Sequence, residues 1–133
     1  MSVSDEQAMH GRKRTILVVD DSAYARRMIR FALVSYPQYE LIEALSGADA
    51  LEKIDGGRID LVITDLKMPG MDGLDLIREI RRRPGYELLP IIMLTGEVDD
   101  GNRELARAAG ASALIFKPFL PEQISGLIEA IFN

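Results

Sequence analysis

The stretch DLVITDLKMPGMDG, residues 60–73, contains a strand, a loop and the start of a helix. Residues 60–65 form a short apolar run that ends in an acid, which is typical of a buried parallel strand. A proline and a glycine follow and predict a turn-rich loop over residues 66–72. Apolar residues then recur at helical spacing over residues 73–83. The stretch therefore predicts one strand–loop–helix unit, whose strand ends at Asp65.

The same alternation of strand and helix continues on both sides of this unit. Short apolar runs predict four further strands, at residues 15–20, 39–44, 90–95 and 113–116. Helical spacing predicts one helix after the first strand, with Ala25, Met28, Ile29, Ala32 and Leu33 inward, and others at 47–54, 98–109 and 121–132. Strict alternation predicts an α/β, doubly wound parallel sheet with helices on both faces. We expect one domain over residues 15–133, preceded by a flexible tail over residues 1–14.

The composition is that of a single globular domain and excludes several kinds of site. The chain has 133 residues, of which 47% are hydrophobic and 28% charged, and its net charge is −5. This acidic balance disfavours direct binding to nucleic acid. The absence of cysteine and the single histidine, His10, exclude disulfides, thiolate chemistry and histidine clusters. Because no long apolar run and no apolar signal segment are found, we expect a cytoplasmic protein without membrane insertion.

Polar side chains occupy the carboxyl ends of four predicted strands, where ligands bind in open α/β sheets. These residues are Asp20, Asp21, Asp65, Thr95 and Lys117. Three neighbouring carboxylates repel one another unless a hard cation lies between them, and Mg²⁺ prefers such oxygen ligands. A carboxylate can act as a nucleophile toward phosphorus, while a lysine and a hydroxyl stabilise charge on the transferred group. The set predicts Mg²⁺-dependent transfer of a phosphoryl group to Asp65.

Four motifs resemble the receiver domain of bacterial two-component response regulators, in particular its single-domain, CheY-like members. They are ILVVDDS (16–22), LVITDLKMPGMDG (61–73), IIMLTG (91–96) and AGASALIFKPF (109–119). The resemblance covers residues 15–133 and implies a flavodoxin-like sheet of strand order 2-1-3-4-5. It also implies a stoichiometric phosphoacceptor rather than an enzyme. Such a protein catalyses only its own phosphorylation and slow dephosphorylation.

The resemblance assigns a role to each residue of the set. Asp65 corresponds to the phosphoacceptor, and Asp21 and Asp65 correspond to direct Mg²⁺ ligands. Asp20 would act nearby through water, and the backbone carbonyl of Lys67 would complete the protein's share of the metal ligands. Thr95 corresponds to the hydroxyl that turns toward the phosphoryl group. Lys117 corresponds to the lysine that pairs with that group, and the proline that follows it is often cis.

Two features concern how the signal is read out and how long it lasts. The position three residues before the lysine usually carries an aromatic residue that moves with the threonine, but here it is Leu114. Leucine has no ring to move, so this sequence lacks the aromatic partner of Thr95, whereas the residues needed for phosphorylation are present. Lys67 lies two residues after Asp65, and Glu97 lies two residues after Thr95. We hypothesise that they pair across the mouth of the site and shield the phosphoryl group from water.

Ordinary structural explanations exist for several of these residues when each is taken alone. Asp21 could be an acid at a helix N-terminus, and Asp72 most simply caps the helix that follows it. Thr95 could be a strand-favouring residue and Lys117 an ordinary surface lysine. The run Arg81-Arg82-Arg83 falls in the last turn of its helix, where cations complement the helix dipole, and this explanation outweighs a nucleic-acid patch.

The leading hypothesis is a phosphorylation switch in a two-component pathway, with chemotaxis as one candidate pathway. A sensor histidine kinase or a histidine phosphotransfer protein donates to Asp65, and the changed surface of the fourth helix, fifth strand and fifth helix binds an unidentified downstream protein. That surface includes residues 102–109, Leu114 and residues 121–131. We expect a monomer.

Three other classes of protein are alternatives to the phosphorylation switch. The main alternative is an interaction module of the same fold that works without phosphorylation. An aspartyl phosphatase ranks lower, because Lys67 occupies the position of its second acid. A dinucleotide enzyme would require a Gly-x-Gly-x-x-Gly motif after the first strand, which the sequence does not contain.

Overall fold

The computed structural model describes residues 12–96 and 100–133, in which five strands alternate with five helices. The strands are β1 (Arg14–Val19), β2 (Tyr39–Ala44), β3 (Leu61–Asp65), β4 (Ile91–Thr95) and β5 (Ala113–Phe116). The helices are α1 (Ala23–Ala32), α2 (Gly47–Gly56), α3 (Gly73–Arg81), α4 (Asp100–Ala109) and α5 (Pro121–Phe132).

The five strands form one parallel sheet in the order β2-β1-β3-β4-β5. This confirms the predicted fold class and strand order. Chain connections reverse direction between β1 and β3, where the order turns from β2 on one side to β4 and β5 on the other. The carboxyl ends of β1 and β3 are therefore neighbours, which brings Asp20 and Asp65 to the same place.

Helices cover both faces of the sheet, so alternate strand residues are buried on opposite sides. On one face Leu17, Val19 and their neighbours pack against α2, α3 and α4. On the other, Ile16 and Val18 pack against α1 and α5. Burial on both sides explains why the central strands β1, β3 and β4 are almost continuously apolar rather than alternating. The acids of the candidate site lie where these apolar runs end, at the carboxyl end of the sheet.

Side-chain caps begin three helices directly after the loops that leave the sheet. Ser22 accepts from the backbone N–H of Ala25 at the start of α1, and Ser46 accepts from Asp49 at the start of α2. Asp72 caps α3 by accepting from the N–H of Asp75 at 2.8 Å, which confirms its predicted role. These caps fix the point at which each chain segment leaves the carboxyl end of the sheet.

Some element boundaries differ from the prediction for identifiable reasons. Strand β1 begins at Arg14, inside the predicted tail, because the N–H of Arg14 donates to the carbonyl of Gln38 beside β2. Helix α3 ends at Arg81 rather than at residue 83, since Arg82 already occupies the C-cap. Helix α4 is described from Asp100, and residues 98 and 99 of the predicted helix lie outside the described residues, as do residues 1–11 of the predicted tail.

Candidate functional site

Two consecutive acids follow β1, and the backbone orients them differently. Asp20 is buried, with 2% of its surface exposed, whereas Asp21 is exposed. The N–H of Asp20 donates to the carbonyl of Ala44 at 3.2 Å, which holds this turn against the end of β2. The N–H of Ser22 donates to Asp20 Oδ1 at 2.9 Å and points the Asp20 side chain back across the end of the sheet.

Asp65 ends β3 and contacts the lysine that follows β5. Lys117 Nζ lies 3.1 Å from Asp65 Oδ1 and 3.6 Å from Asp20 Oδ2. The N–H of Lys117 donates to the carbonyl of Thr95 at 2.7 Å, which ties the lysine to the end of β4. The bond from Lys117 to Pro118 is cis, as the resemblance implies. Residues 52 positions apart in the sequence thus form one charged pair.

Thr95 is the last residue of β4 and is 1% exposed. In the β3–β4 register Asp65 lies opposite Leu94, so Thr95 extends one residue beyond it at the same end of the sheet. The strand ends therefore place the hydroxyl-bearing residue on the β4 side of Asp65. Lys117, from the next strand along, stands on the same side.

The three carboxylates of the set are close enough to share one ligand. One oxygen each from Asp20, Asp21 and Asp65 lies within 4.8 Å of the others. The pKa of the Asp20 carboxyl is raised above its ordinary value of 3.8, mainly because the group is buried. The hydrogen bond from the Ser22 N–H lowers this pKa, and the nearby charge of Asp65 raises it. Asp20 Oδ2 is buried and, within the part of the chain that the structure describes, accepts no hydrogen bond.

This arrangement fits a hard divalent cation. All the available side-chain ligand atoms are carboxylate oxygens, which suit Mg²⁺ and not a soft metal. The buried Oδ2 of Asp20 accepts no hydrogen bond from the described residues and has the Lys117 ammonium only at 3.6 Å, so a cation or a cation-bound water would satisfy it. A cation would also reduce the mutual repulsion of the three carboxylates. The chemistry of the donor set thus agrees with the predicted magnesium site.

The acids open onto a cleft with an apolar wall. The cleft has a volume of about 520 Å³ and exposes Asp20, Asp21, Asp65 and Lys117 to an incoming group. Its wall is formed by α1 and by the segment after β5, and includes Tyr24, Ala25, Met28, Pro118 and Phe119. A donor group that approaches Asp65 would therefore pass between α1 and the start of α5.

The remaining predicted residues lie around this centre. Lys67 is exposed in the loop after β3. Its proposed partner Glu97 lies outside the described residues, so the pair stays a prediction. Leu114 is opposite Met93 in the sheet and packs against the core beneath α2, α3 and α4. The single histidine, His10, also lies outside the described residues.

Two residues that shape the site were not recognised from the sequence. Gly73 was assigned only to a helix start, yet a Cβ placed on it would lie 2.3 Å from the backbone oxygen of Asp65. Only glycine allows this close approach, and its place in the Asp-Gly pair after the loop was the available signal. Arg26 donates to the backbone carbonyl of Asp20 at 2.6 Å. No spacing or composition in α1 distinguishes it from the arginine that follows it.

The fold and the charged cluster define the class of protein. The model of the family described as response regulator receiver domain matches residues 16–129. The chain belongs to this family. Receiver domains of this kind are in general phosphate-accepting signalling domains of two-component systems, not enzymes, and typically bind Mg²⁺ at an acidic pocket.

Individual relatives include both single-domain and longer proteins. The chain is 37% identical over 119 residues to chemotaxis protein CheY1 of Helicobacter pylori, covering 89% of this chain and 96% of that protein. It is 39% identical to the transcriptional regulatory protein ResD of Bacillus subtilis, of which it spans 48%. It spans 29% of the cyclic di-GMP phosphodiesterase response regulator RpfG of Xanthomonas campestris, at 36% identity.

Solved structures agree with the sequence relatives. The chemotaxis protein CheY4 of Vibrio cholerae superposes with a TM-score of 0.84 at 33% identity, covering 90% of this chain and 98% of that chain. A response regulator from Chloroflexus aurantiacus gives the same TM-score and identity. Within the described residues, no helix has the length and apolar character needed to cross a membrane.

Proposed function

We propose that the chain is a phosphorylation switch whose acceptor is Asp65. The observation that carries this proposal is the contact between Lys117 Nζ and Asp65 Oδ1, made beside a cluster of three carboxylates. An ion pair alone would need one acid, and the additional acids would only repel each other. A site that receives a negatively charged phosphoryl group together with its cation requires this combination.

The donor is a phosphohistidine on a sensor histidine kinase or a histidine phosphotransfer protein. The phosphorus–nitrogen bond of the donor breaks and its electron pair remains on the imidazole nitrogen. A bond forms between phosphorus and a carboxylate oxygen of Asp65, which gives an aspartyl phosphate. Lys117 neutralises charge on the phosphoryl oxygens during the transfer, and its contact with Asp65 supports this role.

Asp21, Asp65 and the backbone carbonyl of Lys67 would hold Mg²⁺, with Asp20 acting through a water molecule. When bound, the cation supplies electrostatic stabilisation of the phosphoryl oxygens. Asp20 keeps its buried oxygen directed toward this place, because its other oxygen is fixed by the Ser22 N–H. The chain promotes its own phosphorylation in this way but turns over no separate substrate.

Phosphorylation is read out through Thr95 and the surface beyond it. The new phosphoryl oxygens attract the Thr95 hydroxyl, which shifts the end of β4 and the surface formed by α4, β5 and α5. Because Leu114 replaces the usual aromatic residue, no ring follows the threonine inward. The readout then depends on the loop after β4 and on the contacts of α4. A protein that prefers the shifted surface is the downstream partner.

The pathway proposed for this switch is bacterial two-component signalling, with chemotaxis as one candidate because single-domain chemotaxis proteins resemble the chain over nearly their full length. The protein would act in the cytoplasm as a monomer, without binding nucleic acid directly. Its net charge of −5 supports the last point.

Intact mass spectrometry tests the acceptor. The protein is incubated with Mg²⁺ and a small phosphodonor such as acetyl phosphate. We expect a mass increase of one phosphoryl group, which is lost on treatment with hydroxylamine and absent in Asp65→Asn. The matched control is Asp72→Asn, since asparagine caps a helix about as well as aspartate and Asp72 has no role in transfer.

Two outcomes would overturn the proposal in different ways. No mass increase in the wild type, with a donor that phosphorylates a known receiver domain in parallel, would favour an interaction module that works without phosphorylation. An equal increase in Asp65→Asn would place the acceptor elsewhere. A loss of labelling in Asp72→Asn as great as in Asp65→Asn would show that the assay reports folding and not the acceptor.

A further inference from the structure

A single arginine side chain connects the acidic turn to the adjacent strand. Arg26 lies in α1, and its Nη1 donates to the backbone carbonyl of Asp20 at 2.6 Å. Its Nε donates to Glu43 Oε1 on β2 at 2.9 Å. The side chain is only 12% exposed, so both bonds form in a partly desolvated place. The guanidinium thus spans from the end of β1 to the end of β2.

The carbonyl that Arg26 binds belongs to the peptide group between Asp20 and Asp21. Rotation of that peptide group would turn both carboxylates relative to Asp65. The N–H of Asp20 is fixed by the carbonyl of Ala44, and the Asp20 side chain is fixed by the N–H of Ser22. The bond from Arg26 fixes a third polar group of Asp20, its backbone carbonyl.

Glu43 in turn holds Arg26 in this position. Its carboxylate accepts from Arg26 through one oxygen and from Arg30 Nη2, at 2.8 Å, through the other. Hydrogen bonds from Arg30, and then from Arg26, hold the pKa of the Glu43 carboxyl below its usual value. Glu43 is therefore ionised throughout the neutral range. It accepts from Nε while Nη1 of the same planar guanidinium donates to the Asp20 carbonyl, and the two bonds together keep the guanidinium in one orientation.

We propose that Arg26, held by Glu43, is a positioning residue that orients Asp20 and Asp21 for Mg²⁺ binding. The inference rests on the proposed Mg²⁺-dependent function. It concerns residues that contact neither the phosphoryl group nor the cation. Groups that orient metal ligands in this way commonly change metal affinity by about 10–100-fold when they are removed.

Charge alone predicts the opposite effect, which makes the inference testable. Arg26 carries a positive charge near a cation site, so its removal on electrostatic grounds would strengthen Mg²⁺ binding. Loss of orientation would weaken binding. Arg27 offers a matched control because it is the next residue of the same helix, carries the same charge and is exposed. Both arginines can be changed to alanine with the same effect on helix propensity.

The experiment measures the Kd for Mg²⁺ of the full chain from amide NMR chemical shifts during a Mg²⁺ titration. We expect Arg26→Ala to raise the Kd on the order of 10-fold, while Arg27→Ala leaves it unchanged or lowers it slightly. The resonance of the Ser22 N–H should also move in metal-free Arg26→Ala, since that group donates to Asp20. An unchanged or lower Kd in Arg26→Ala would overturn the inference.

A mutant cycle with Glu43→Gln separates orientation from long-range charge. If Glu43 acts through Arg26, Glu43→Gln raises the Kd in the wild type and changes little in the Arg26→Ala background. Equal effects in both backgrounds would overturn that part of the inference. Arg26→Lys serves if the alanine variant does not fold, because lysine keeps the charge but cannot make both bonds, and an unchanged Kd there would also contradict the inference. Absence of Mg²⁺ binding in the wild type would instead overturn the proposed function itself.

Discussion

Asp60 and Asp20 are both mostly buried aspartates, with side chains 10% and 2% exposed, but they lie at opposite ends of the sheet. At the amino end, Arg12 Nη2 donates to Asp60 Oδ1 at 3.2 Å and the N–H of Thr15 donates to Asp60 Oδ2 at 2.8 Å. At the carboxyl end, Asp20 Oδ1 accepts from a backbone N–H, whereas its Oδ2 has no hydrogen-bond donor among the described residues.

Arg81 extends the contrast, because it is a partly buried cation at the amino end of the sheet. Its Nη1 donates to the carbonyls of Tyr86 and Leu89, at 3.1 and 2.6 Å, and its Nη2 donates to the carbonyl of Gly110 at 2.6 Å. Burial lowers the pKa of Arg81, but three carbonyl oxygens stabilise the charged form. At this end of the sheet, hydrogen bonds to charged groups stabilise the fold. At the carboxyl end, Asp20 Oδ2 is buried and accepts no hydrogen bond from the described residues, which lowers the stability of the protein.

The largest effect on stability should follow from Arg81→Ala. Three partly buried carbonyls would lose their donor, and the loops before β4 and β5 would no longer be joined. We expect the free energy of unfolding, measured by urea denaturation, to fall by about 3 kcal/mol. The Kd for Mg²⁺ should stay at the wild-type value, since the binding site lies at the other end of the sheet.

Arg82→Ala is the matched control for this variant. Arg82 is exposed and pairs with Glu79 on the same helix, so its loss should change the free energy of unfolding by about 0–1 kcal/mol. Comparable losses in the two variants would show that Arg81 contributes only helix propensity and surface charge. A raised Kd for Mg²⁺ in Arg81→Ala would show that the two ends of the sheet are not independent.

The sequence predicts the carboxyl end of the sheet far better than the amino end. Each acid, hydroxyl or amine of the site interrupts or ends an apolar run, so the position of the strand also gives the position of the residue. Three neighbouring arginines near the end of α3 have no such marker. All were assigned to the helix dipole, yet Arg81 binds carbonyls, Arg82 pairs with Glu79, and Arg83 pairs with Asp55.

The difference lies in which information is local. Strands 39–44 and 113–116 and helix 121–132 were predicted to the residue, because caps, prolines and apolar periodicity are features of the segment itself. The bonds of Arg26 and the close approach of Gly73 to Asp65 depend on how separate segments meet. Neither the register between β1 and β2 nor the angle at which α3 leaves the sheet can be obtained from a single segment.

Replacing aspartate by asparagine should change the free energy of unfolding less than Arg81→Ala does. The sign of the change should differ between the two ends of the sheet. Burial raises the pKa of Asp20, so its ionised form destabilises the metal-free fold increasingly as pH rises above the ordinary value of 3.8. Asp20→Asn should therefore raise the free energy of unfolding in EDTA at neutral pH by roughly 1 kcal/mol. Asp60→Asn should lower the free energy of unfolding by a similar amount. Both carboxylate oxygens of Asp60 accept hydrogen bonds, and asparagine replaces one of them with an NH₂ group that cannot accept.

Thermal denaturation with EDTA and with excess Mg²⁺ checks this pair of variants. Mg²⁺ should stabilise the wild type and Asp60→Asn by mass action but have little effect on Asp20→Asn. A loss of stability in EDTA for Asp20→Asn as large as that for Asp60→Asn would contradict the contrast. It would mean that the ion pair between Asp20 and Lys117, at 3.6 Å, stabilises the fold more than the burial of Asp20 Oδ2 destabilises it.

The smallest expected effect on the free energy of unfolding is that of Asp49→Asn. This variant tests whether hydrogen bonding to the carboxylate, rather than its place in the sheet, sets the sign of the change. Asp49 also lies at the carboxyl end of the sheet, but it accepts from Lys53 Nζ at 2.9 Å and from the N–H of Leu45 at 3.0 Å. These bonds, the one from Lys53 first, lower the pKa of the Asp49 carboxyl below its ordinary value of 3.8. The resulting stability is present above that value and is lost as pH falls through the lowered pKa.

Because the pair is partly exposed, Asp49→Asn should lower the free energy of unfolding at neutral pH by only about 0.5 kcal/mol. Urea denaturation repeated in steps from neutral pH to about pH 3 should show the two proteins converging, and a constant difference would mean that the ionised carboxylate is not its source.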